Sequence, residues 1–150
     1  MGHVPARPVR VVGAGSDLQR RQRRGAPREG AVVIVDAGQR RALGAAGEEL
    51  AAGWYRDHGY EIVARNWRCR DGELDVIARQ GRSLVFCEVK TRTSTAFGVP
   101  AEAVNHQKRA RIRRLAARWL AEWDGPRPRE IRFDVAAVMG EQVELIEGAF

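Results

Sequence analysis

The sequence has few cysteines and no long apolar runs, and each of these features excludes certain classes of protein. Two cysteines among 150 residues are too few for a disulfide scaffold or a four-cysteine zinc site. The longest apolar runs, such as those at 31–35 and 84–87, are far too short to cross a bilayer. We therefore predict a reduced, cytoplasmic protein with no membrane partner, while the 44% hydrophobic content indicates a folded core.

Positive charge is concentrated at the start of the chain. Of the 26 basic residues, nine fall within residues 1–42, where only three acids occur, and the rest of the chain is close to neutral. Residues 1–42 mix Gly, Pro, Ala and Arg without a helical or strand period. This predicts a disordered basic extension over 1–42, either a nucleic-acid-binding tail or a segment without function, and one folded domain over 43–150.

From Leu43 onward the hydrophobic pattern becomes regular and predicts an α/β domain. Small and apolar residues at helical spacing indicate a first helix from Leu43 to about Gly59 and a second, amphipathic helix over 102–123. Runs rich in β-forming residues indicate five strands, at 60–67, 73–79, 83–91, 131–139 and 142–146. The expected order is α-β-β-β-α-β-β, a mixed β-sheet flanked by helices.

Two neighbouring strands carry charged side chains. Glu88 and Lys90 follow a nearly continuous apolar run, and because they are two residues apart they share one face of the strand. Charge at the end of a central strand is costly unless it is paired or bound. Asp75 in the preceding strand adds a further carboxylate, so the pairing of the two strands decides whether these charges meet.

The dipeptide at 81–82 predicts a two-residue turn between these strands, and its leading glycine suits a type II′ hairpin. The resulting register places Asp75 opposite Glu88. It also places Glu73 opposite Lys90. Facing carboxylates repel each other unless a cation lies between them, and an oxygen-only ligand set favours Mg²⁺ or Mn²⁺ over zinc. We therefore predict that Asp75 and Glu88 hold Mg²⁺ or Mn²⁺.

Lysine is rare in this chain, which has 24 arginines but only two lysines, Lys90 and Lys108. A compact ammonium group acts as a point charge whose pKa can shift, and arginine does not offer this. We interpret Lys90 as a functional residue, with a plain ion pair to Glu88 as the alternative. For Lys108, a functional position and a chance occurrence both stay open.

An acid in one strand followed by Glu-x-Lys in the next resembles the PD-(D/E)XK nuclease superfamily, here as Asp75 and Glu88-Val89-Lys90. From Gly44 to about Val138 the chain looks more closely like the bacterial YraN-like family, which is similar in predicted fold to archaeal Holliday-junction resolvases. The matching motifs and residues are Gly44-Ala-Ala-Gly47-Glu48, Asn66, Gly72-Glu-Leu-Asp75, Phe86-Cys-Glu-Val-Lys-Thr-Arg92, Phe97-Gly98, Lys108 and Arg132-Phe-Asp134. The resemblance implies a restriction-endonuclease-like core and does not cover residues 1–42.

The resemblance also implies an activity and a site. Asp75 and Glu88 would be the metal ligands, and Lys90 would contact the attacked phosphate or the nucleophilic water. Glu48 corresponds to an acid that resolvase-like members supply from their first helix, with a solvated residue like Glu49 as the alternative. The implied reaction is hydrolysis of phosphodiester bonds with Mg²⁺ or Mn²⁺. DNA is expected rather than RNA, and branched DNA is the preferred form by analogy.

The second helix adds a basic surface next to the predicted hairpin. Its basic residues form a run without an intervening acid, and such a face supplies phosphate contacts that do not depend on base sequence. We predict a nucleic-acid-binding surface made of Lys108, Arg109, Arg111, Arg113, Arg114 and Arg118. A solvated helix surface is the alternative.

Two other functions stay open. A nucleic-acid-binding protein could keep a nuclease scaffold without turnover. A structural or assembly protein could act through Trp54, Trp119 and Trp123, although helical spacing favours a core position for the last two. The segment Arg132-Phe133-Asp134 most simply begins a strand and is assigned a structural role. Association into a homodimer is also open.

Overall fold

The computed structural model describes residues 36–93 and 104–150 in full, and residues 8–10 by their backbone. Two helices and six strands lie within these ranges. In chain order they are β1 (Pro8–Arg10), α1 (Ala37–Asp57), β2 (Glu61–Cys69), β3 (Gly72–Gln80), β4 (Ser83–Arg92), α2 (His106–Glu122), β5 (Glu130–Met139) and β6 (Gln142–Ile146). From α1 onward this is the order α-β-β-β-α-β-β, so the predicted α/β fold class is confirmed.

The six strands form one mixed sheet in the order β1-β6-β5-β4-β3-β2. β4 and β5 pair in parallel, and the other neighbouring strands pair antiparallel. A parallel pair needs a long crossover connection, and this connection contains α2. β4 therefore lies inside the sheet, which explains its nearly continuous apolar run.

The two helices cover opposite faces of the sheet. Phe86 of β4 packs in the same cluster as Leu115 of α2. Its neighbours Val85 and Cys87 pack instead in the cluster that contains Tyr55 of α1. Because successive strand residues point to opposite faces, the sheet is the middle layer between α1 and α2. Burial on both faces makes this region the core of the domain.

The β3–β4 hairpin has the predicted register. Regular pairing runs from Gln80 with Ser83 to Val76 with Cys87. Gly81 starts the turn with a φ of 59°, a left-handed conformation that glycine adopts without a steric penalty. The hairpin therefore carries the acidic positions of the two strands to its open end.

Both helices begin at residues other than those predicted. α1 starts at Ala37 rather than at residue 43, because Asp36 caps the helix and exchanges hydrogen bonds with Gln39. α2 starts at His106 rather than at residue 102, with Asn105 as its cap. Capping side chains, and not the apolar period, determine where these helices begin.

Part of the extension predicted over 1–42 belongs to the described structure. Its last residues lie in α1, and Pro8–Arg10 form β1, which pairs with β6. Two parts of the predicted extension therefore contribute to a strand and to a helix of the described structure. The prediction for residues 1–7 and 11–35 lies outside the described residues. None of the described helices is both long enough and apolar enough to span a membrane.

A fully buried carboxylate, that of Asp134 on β5, connects α1 to the end of the chain. The Tyr55 hydroxyl donates a hydrogen bond to Asp134 Oδ2 at 2.6 Å. The Arg132 guanidinium donates to both carboxylate oxygens, and the Gly148 N–H donates to Oδ1 at 3.0 Å. Burial raises the pKa of the Tyr55 phenol, and the neighbouring Cys87 and Asp134 side chains raise it further. These contacts support the structural role assigned to Asp134.

Replacing Tyr55 with Phe removes only the hydroxyl group that donates to Asp134. We expect the free energy of unfolding to fall by about 1.5–3 kcal/mol, because a hydrogen bond to a buried charged group is lost. Tyr60→Phe is the matched control, since the Tyr60 hydroxyl accepts from the partly buried Arg132 at 3.2 Å and should contribute less. Chemical denaturation measures both variants. Equal losses would contradict the importance of the buried Tyr55 contact.

Candidate active site

Both lysines of the chain meet at one carboxylate. Glu88, near the end of β4, is 8% exposed, and its Oε1 lies 3.0 Å from the Nζ of Lys90. The Nζ of Lys108, from the first turn of α2, contacts the same oxygen. Two ammonium groups from two different elements therefore compensate the burial of Glu88.

The two lysines hold their protons with different strength. Burial by itself would lower the pKa of Lys90, but its contacts with Lys108 and Glu88 raise it above the ordinary value. For Lys108, burial lowers the pKa, and the contact with Glu88 does not fully offset this effect and that of Lys90. The proximity of two ammonium groups to one carboxylate therefore shifts the pKa values of the two lysines in opposite directions.

Asp75 lies one position beyond the last regular pair of β3 and β4, and its carboxylate accepts from the Val89 N–H at 2.8 Å. Burial raises the pKa of Asp75 to about 7, and the negative charge of Glu88 adds to this effect. Glu48 and Glu73 raise the pKa further, while the Val89 hydrogen bond lowers it. Three acids therefore act on a carboxylate whose only hydrogen bond within the described residues comes from the backbone.

An irregular position in β2 and β3 orients Asp75. The pairs on either side are in register, so Asn66 of β2 lies opposite Asp75. Asn66 has a φ of 50°, and no other non-glycine residue in the described ranges has a positive φ. Leu74 and Ile77 both pack in the α2 cluster, whereas Val76 packs in the α1 cluster. In a regular strand the side chains of Leu74 and Val76 would point to the same face of the sheet. The alternation of side chains along β3 is therefore interrupted at Asp75.

The sequence around Asn66 gives little indication of this irregularity, and Asn66 is noticeable there only as part of the family motif. Asparagine tolerates the left-handed conformation better than most residues, and that tolerance is the local signal that could have indicated an irregularity. A strand pattern alone does not show it, because β2 contains apolar residues on both sides of Asn66.

α1 brings a third carboxylate toward Asp75. Gly47 is buried against the end of β4, where a Cβ atom on Gly47 would overlap the side chain of Thr91. The missing side chain therefore lets α1 approach the strand closely. The next residue, the partly buried Glu48, is near enough to raise the pKa of Asp75 by its charge.

The neighbour of Glu48 has different surroundings. Glu49 is exposed and forms ion pairs with Arg56 and Arg65. Hydrogen bonds from Arg65 and Arg56 lower the pKa of Glu49. Two adjacent acids that look equivalent in the sequence therefore have different surroundings. The charge of Glu48 raises the pKa of Asp75, whereas Glu49 belongs to a network of surface ion pairs.

The two charge pairs predicted across the β3–β4 hairpin are not part of its ladder. Regular pairing of β3 with β4 ends at Val76 and Cys87, before it reaches Asp75 with Glu88 or Glu73 with Lys90. The predicted direct opposition of Asp75 and Glu88 is therefore absent, and the Asp75 carboxylate accepts instead from the N–H of the next residue of β4, Val89. Glu73 instead binds Arg68 on the neighbouring strand, with 3.0 Å between Oε2 and Nε. The predicted opposition of Glu73 and Lys90 is therefore wrong, and Lys90 binds Glu88 from the same strand.

The predicted nucleic-acid-binding residues point to different sides of α2. One flank of the helix carries three of them along a groove: Arg111, Arg114 and Arg118. On the other side, the guanidinium groups of Arg109 and Arg113 lie over the ring of Phe150, each 5.7 Å from its centroid. Lys108, at the start of the helix, contacts Glu88. The basic run is therefore divided into groups with distinct neighbours.

The tryptophans proposed for an assembly surface lie mostly in the core. Trp54 and Trp119 are each 7% exposed. Trp123 stacks on Trp119, with 4.9 Å between ring centroids. Trp54 and Trp119 are therefore not available to a partner, because the sheet and its helices already cover them.

The predicted metal ligands are two carboxylates, those of Asp75 and Glu88. In the part of the chain that the structure describes, no group of three or more His, Cys, Asp or Glu side chains is arranged to hold a metal ion. The two cysteines are free, with Cys69 partly buried and Cys87 buried. Asp75 and Glu88 are left as a pair of carboxylates, to which Glu48 adds charge at longer range.

Known proteins resemble most of this domain. The model for "Uncharacterised protein family UPF0102" matches residues 47–138. This range contains the acids and lysines of the candidate active site, which are Glu48, Asp75, Glu88, Lys90 and Lys108. A UPF0102 protein from Nocardia farcinica is 61% identical over 109 residues, which cover 73% of this chain and 85% of the relative. One from Beutenbergia cavernae is 61% identical over 98 residues, covering 65% and 82%. One from Acidothermus cellulolyticus is 47% identical over 128 residues, covering 76% and 97%. The chain therefore belongs to the UPF0102 family, as its YraN-like motifs predict.

Proposed function

We propose that this UPF0102 protein is a metal-dependent endonuclease that hydrolyses phosphodiester bonds in DNA. The observation that carries the proposal is the convergence of Asp75, Glu88 and Lys90 at the ends of two neighbouring strands. Carboxylates that can hold a cation, next to an ammonium group that can meet a phosphate, suit this reaction. The resemblance to PD-(D/E)XK nucleases supports the same three residues.

The donor set fits a hard divalent cation. Mg²⁺ is commonly held by one or two carboxylates, while water and substrate phosphate oxygens complete its coordination. Burial raises the pKa of Asp75, and the charges of Glu88, Glu48 and Glu73 raise it further, so a cation at this position would favour the ionised carboxylate. Held by Asp75 and Glu88, Mg²⁺ or Mn²⁺ would supply polarisation of a phosphoryl oxygen and a lower pKa for bound water.

The groups of the chain itself would bind and orient the scissile phosphate. Lys90 and Lys108 surround one oxygen of Glu88, so a phosphate that approaches this carboxylate meets positive charge. Lys90 would stabilise the negative charge that develops on the phosphate in the transition state. Glu48 would supply a third carboxylate beside Asp75 and help to position water there.

A second candidate function is a nucleic-acid-binding protein without turnover. The observation that favours it is the neutralisation of Glu88: two lysines already occupy one of its oxygens, as they would in a structural ion pair. The placement of Asp75 favours the enzyme instead, because burial and the charge of Glu88 raise its pKa and a bound cation would stabilise its ionised form.

The titration of Asp75 predicts how stability depends on pH. An aspartate in the unfolded chain has a pKa of about 4, whereas burial raises the pKa of Asp75 in the folded protein to about 7. Between these values the folded state holds a proton that the unfolded state has lost, so the free energy of unfolding falls as pH rises. Asp75→Asn should reduce this fall and make the protein more stable than wild type at pH ~8.

Denaturation in a chelator, at several pH values between about 4.5 and 8, measures this difference across the window set by the two pKa values. Glu49→Gln is the control, since Glu49 is an exposed acid on α1 whose pKa is lowered and not raised. A wild-type profile that matches that of Asp75→Asn would contradict the assignment of the titration to Asp75.

Binding of a cation should change stability through the same carboxylate. We expect millimolar Mg²⁺ or Mn²⁺ at pH ~8 to raise the denaturation midpoint of the wild type, because a ligand that binds only the folded state stabilises it. Asp75→Asn should show a much smaller rise. Ca²⁺ serves as a probe of oxygen ligation without a requirement for turnover. Equal rises in both proteins would place the cation elsewhere.

Cleavage of labelled four-way junction, flap and linear DNA, with a matched RNA, tests the activity directly. With Mg²⁺ or Mn²⁺ we expect cleavage of DNA by the wild type and a loss of about 100-fold or more in Asp75→Asn and Lys90→Met. Glu48→Gln should lose activity, whereas Glu49→Gln should keep it. Cleavage that persists in Asp75→Asn would indicate a contaminant. DNA binding without cleavage in either metal would support the second candidate function.

A further inference from the structure

Three arginines of α2 and one acid line an open groove of about 240 Å³ beside the candidate active site. Its lining consists of Asp71, Arg111, Arg114, Leu115 and Arg118. The arginines lie at positions i, i+3 and i+7, so they form one stripe along the helix. Arg111 and Arg114 are exposed and form no ion pair with any residue that the structure describes. The groove thus has a strong excess of positive charge.

The turn between β2 and β3 forms the other wall of this groove. Gly72 has a φ of 147°, and a Cβ atom there would lie 3.1 Å from Leu115 Cδ1 and 3.8 Å from Arg111 Nε. A glycine at this position therefore lets the turn pack directly against α2. The close packing holds Asp71 over the helix, where its Oδ2 lies 3.0 Å from Arg118 Nη1.

The groove continues into the candidate active site along the same helix. Arg111 follows Lys108 by three residues, less than one helical turn, and Lys108 contacts Glu88. From Lys108 to Arg118 the helix rises by about 15 Å. That length is enough for a few consecutive phosphates of one nucleic-acid strand, which lie about 3.4 Å apart along the axis of a duplex.

We propose that this stripe, Arg111, Arg114 and Arg118, binds the backbone phosphates of the DNA strand that enters the candidate active site. We further assign Asp71 as an internal phosphate mimic, which pairs with Arg118 until a phosphate replaces it. Both side chains of this pair are accessible, 43% for Arg118 and 57% for Asp71, so the exchange requires no unfolding. The inference rests on the proposed function for its substrate class.

The opposite flank of α2 does not take part. Arg109 donates from Nε to the Val104 carbonyl at 2.8 Å, and its guanidinium group lies over Phe150. Arg113 lies over the rings of both Phe133 and Phe150. These contacts hold the end of the chain against the helix. Arg109 and Arg113 therefore have the same charge as the stripe but a packing role.

DNA binding as a function of salt distinguishes the two flanks. All variants carry Asp75→Asn, so that no cleavage occurs, and the probe is a labelled four-way junction or duplex in about 50–300 mM KCl. Arg111→Gln with Arg114→Gln should weaken binding and lower the slope of log K against log salt by about 1.8, because each lost phosphate contact releases about 0.9 fewer counterions. Arg109→Gln with Arg113→Gln should leave the slope unchanged.

A second control guards against loss of packing in the Arg109 and Arg113 variant. Arg127→Gln with Arg129→Gln removes the same charge from exposed positions that follow α2, near the opposite end of β4. If this variant or the Arg109 and Arg113 variant lowers the slope as much as the stripe variant does, net charge alone explains binding and the proposal is overturned. An absence of salt-dependent binding in the parent would also overturn it.

The role of Asp71 predicts a gain of function. Asp71→Asn should tighten DNA binding by up to about fivefold at low salt, because an exposed ion pair no longer competes for Arg118. Asp57→Asn at the end of α1 makes the same charge change on the opposite face of the sheet and should have little effect. Equal gains in both variants would overturn the assignment of Asp71.

The outcomes separate this inference from the proposed function. DNA binding that depends on the stripe, without cleavage by the protein that retains Asp75, would support phosphate binding by the stripe and contradict the proposed nuclease activity. Metal-dependent cleavage, together with an unchanged slope of log K against log salt in the stripe variant, would support the nuclease activity and contradict phosphate binding by the stripe.

Discussion

Compensation of buried negative charge at the end of β4 is the constraint on which the site depends. Glu88 follows an apolar stretch that is covered on both faces, where an unpaired carboxylate would be too costly to keep ionised. Lys90 of the same strand and Lys108 of the crossover helix share the task. The start of α2 must therefore lie over the end of β4. The basic residues of α2 continue along the helix from Lys108, beginning with Arg111 three residues later.

Close packing brings the remaining groups to this point, and glycine makes it possible. Gly47 lets α1 approach Thr91, and Gly72 lets the β2–β3 turn approach Leu115. A side chain at either position would push a helix or a turn away from its neighbour. Glu48 would then move away from the other carboxylates, or the groove along α2 would widen. Neither glycine has chemistry of its own, yet both contribute to the geometry of the charged groups.

Charged residues in this domain divide according to what neutralises them. Asp134 is fully buried and receives hydrogen bonds from several donors, which suits a structural group. Glu49 has two arginines at the surface. Asp75 is largely buried and accepts a hydrogen bond from a backbone N–H, and burial together with three acidic neighbours raises its pKa. Carboxylates with a raised pKa occur often at functional sites. The range shared with the UPF0102 family, 47–138, contains this carboxylate cluster and excludes the end of the chain that packs on α2.

Local sequence patterns were enough to predict the fold class, the order of the elements and the hairpin register, because these depend on hydrophobic period and on a two-residue turn. It also indicated Asp75, Glu88 and Lys90, since strand alternation relates residues close in the chain. Sequence patterns did not reveal that Lys108 contacts Glu88, that Glu48 and Glu49 have different surroundings, or that the arginines of α2 divide between two flanks. Contacts of this kind join distant parts of the chain. They depend on how closely each helix packs on the sheet, and no local pattern encodes that distance.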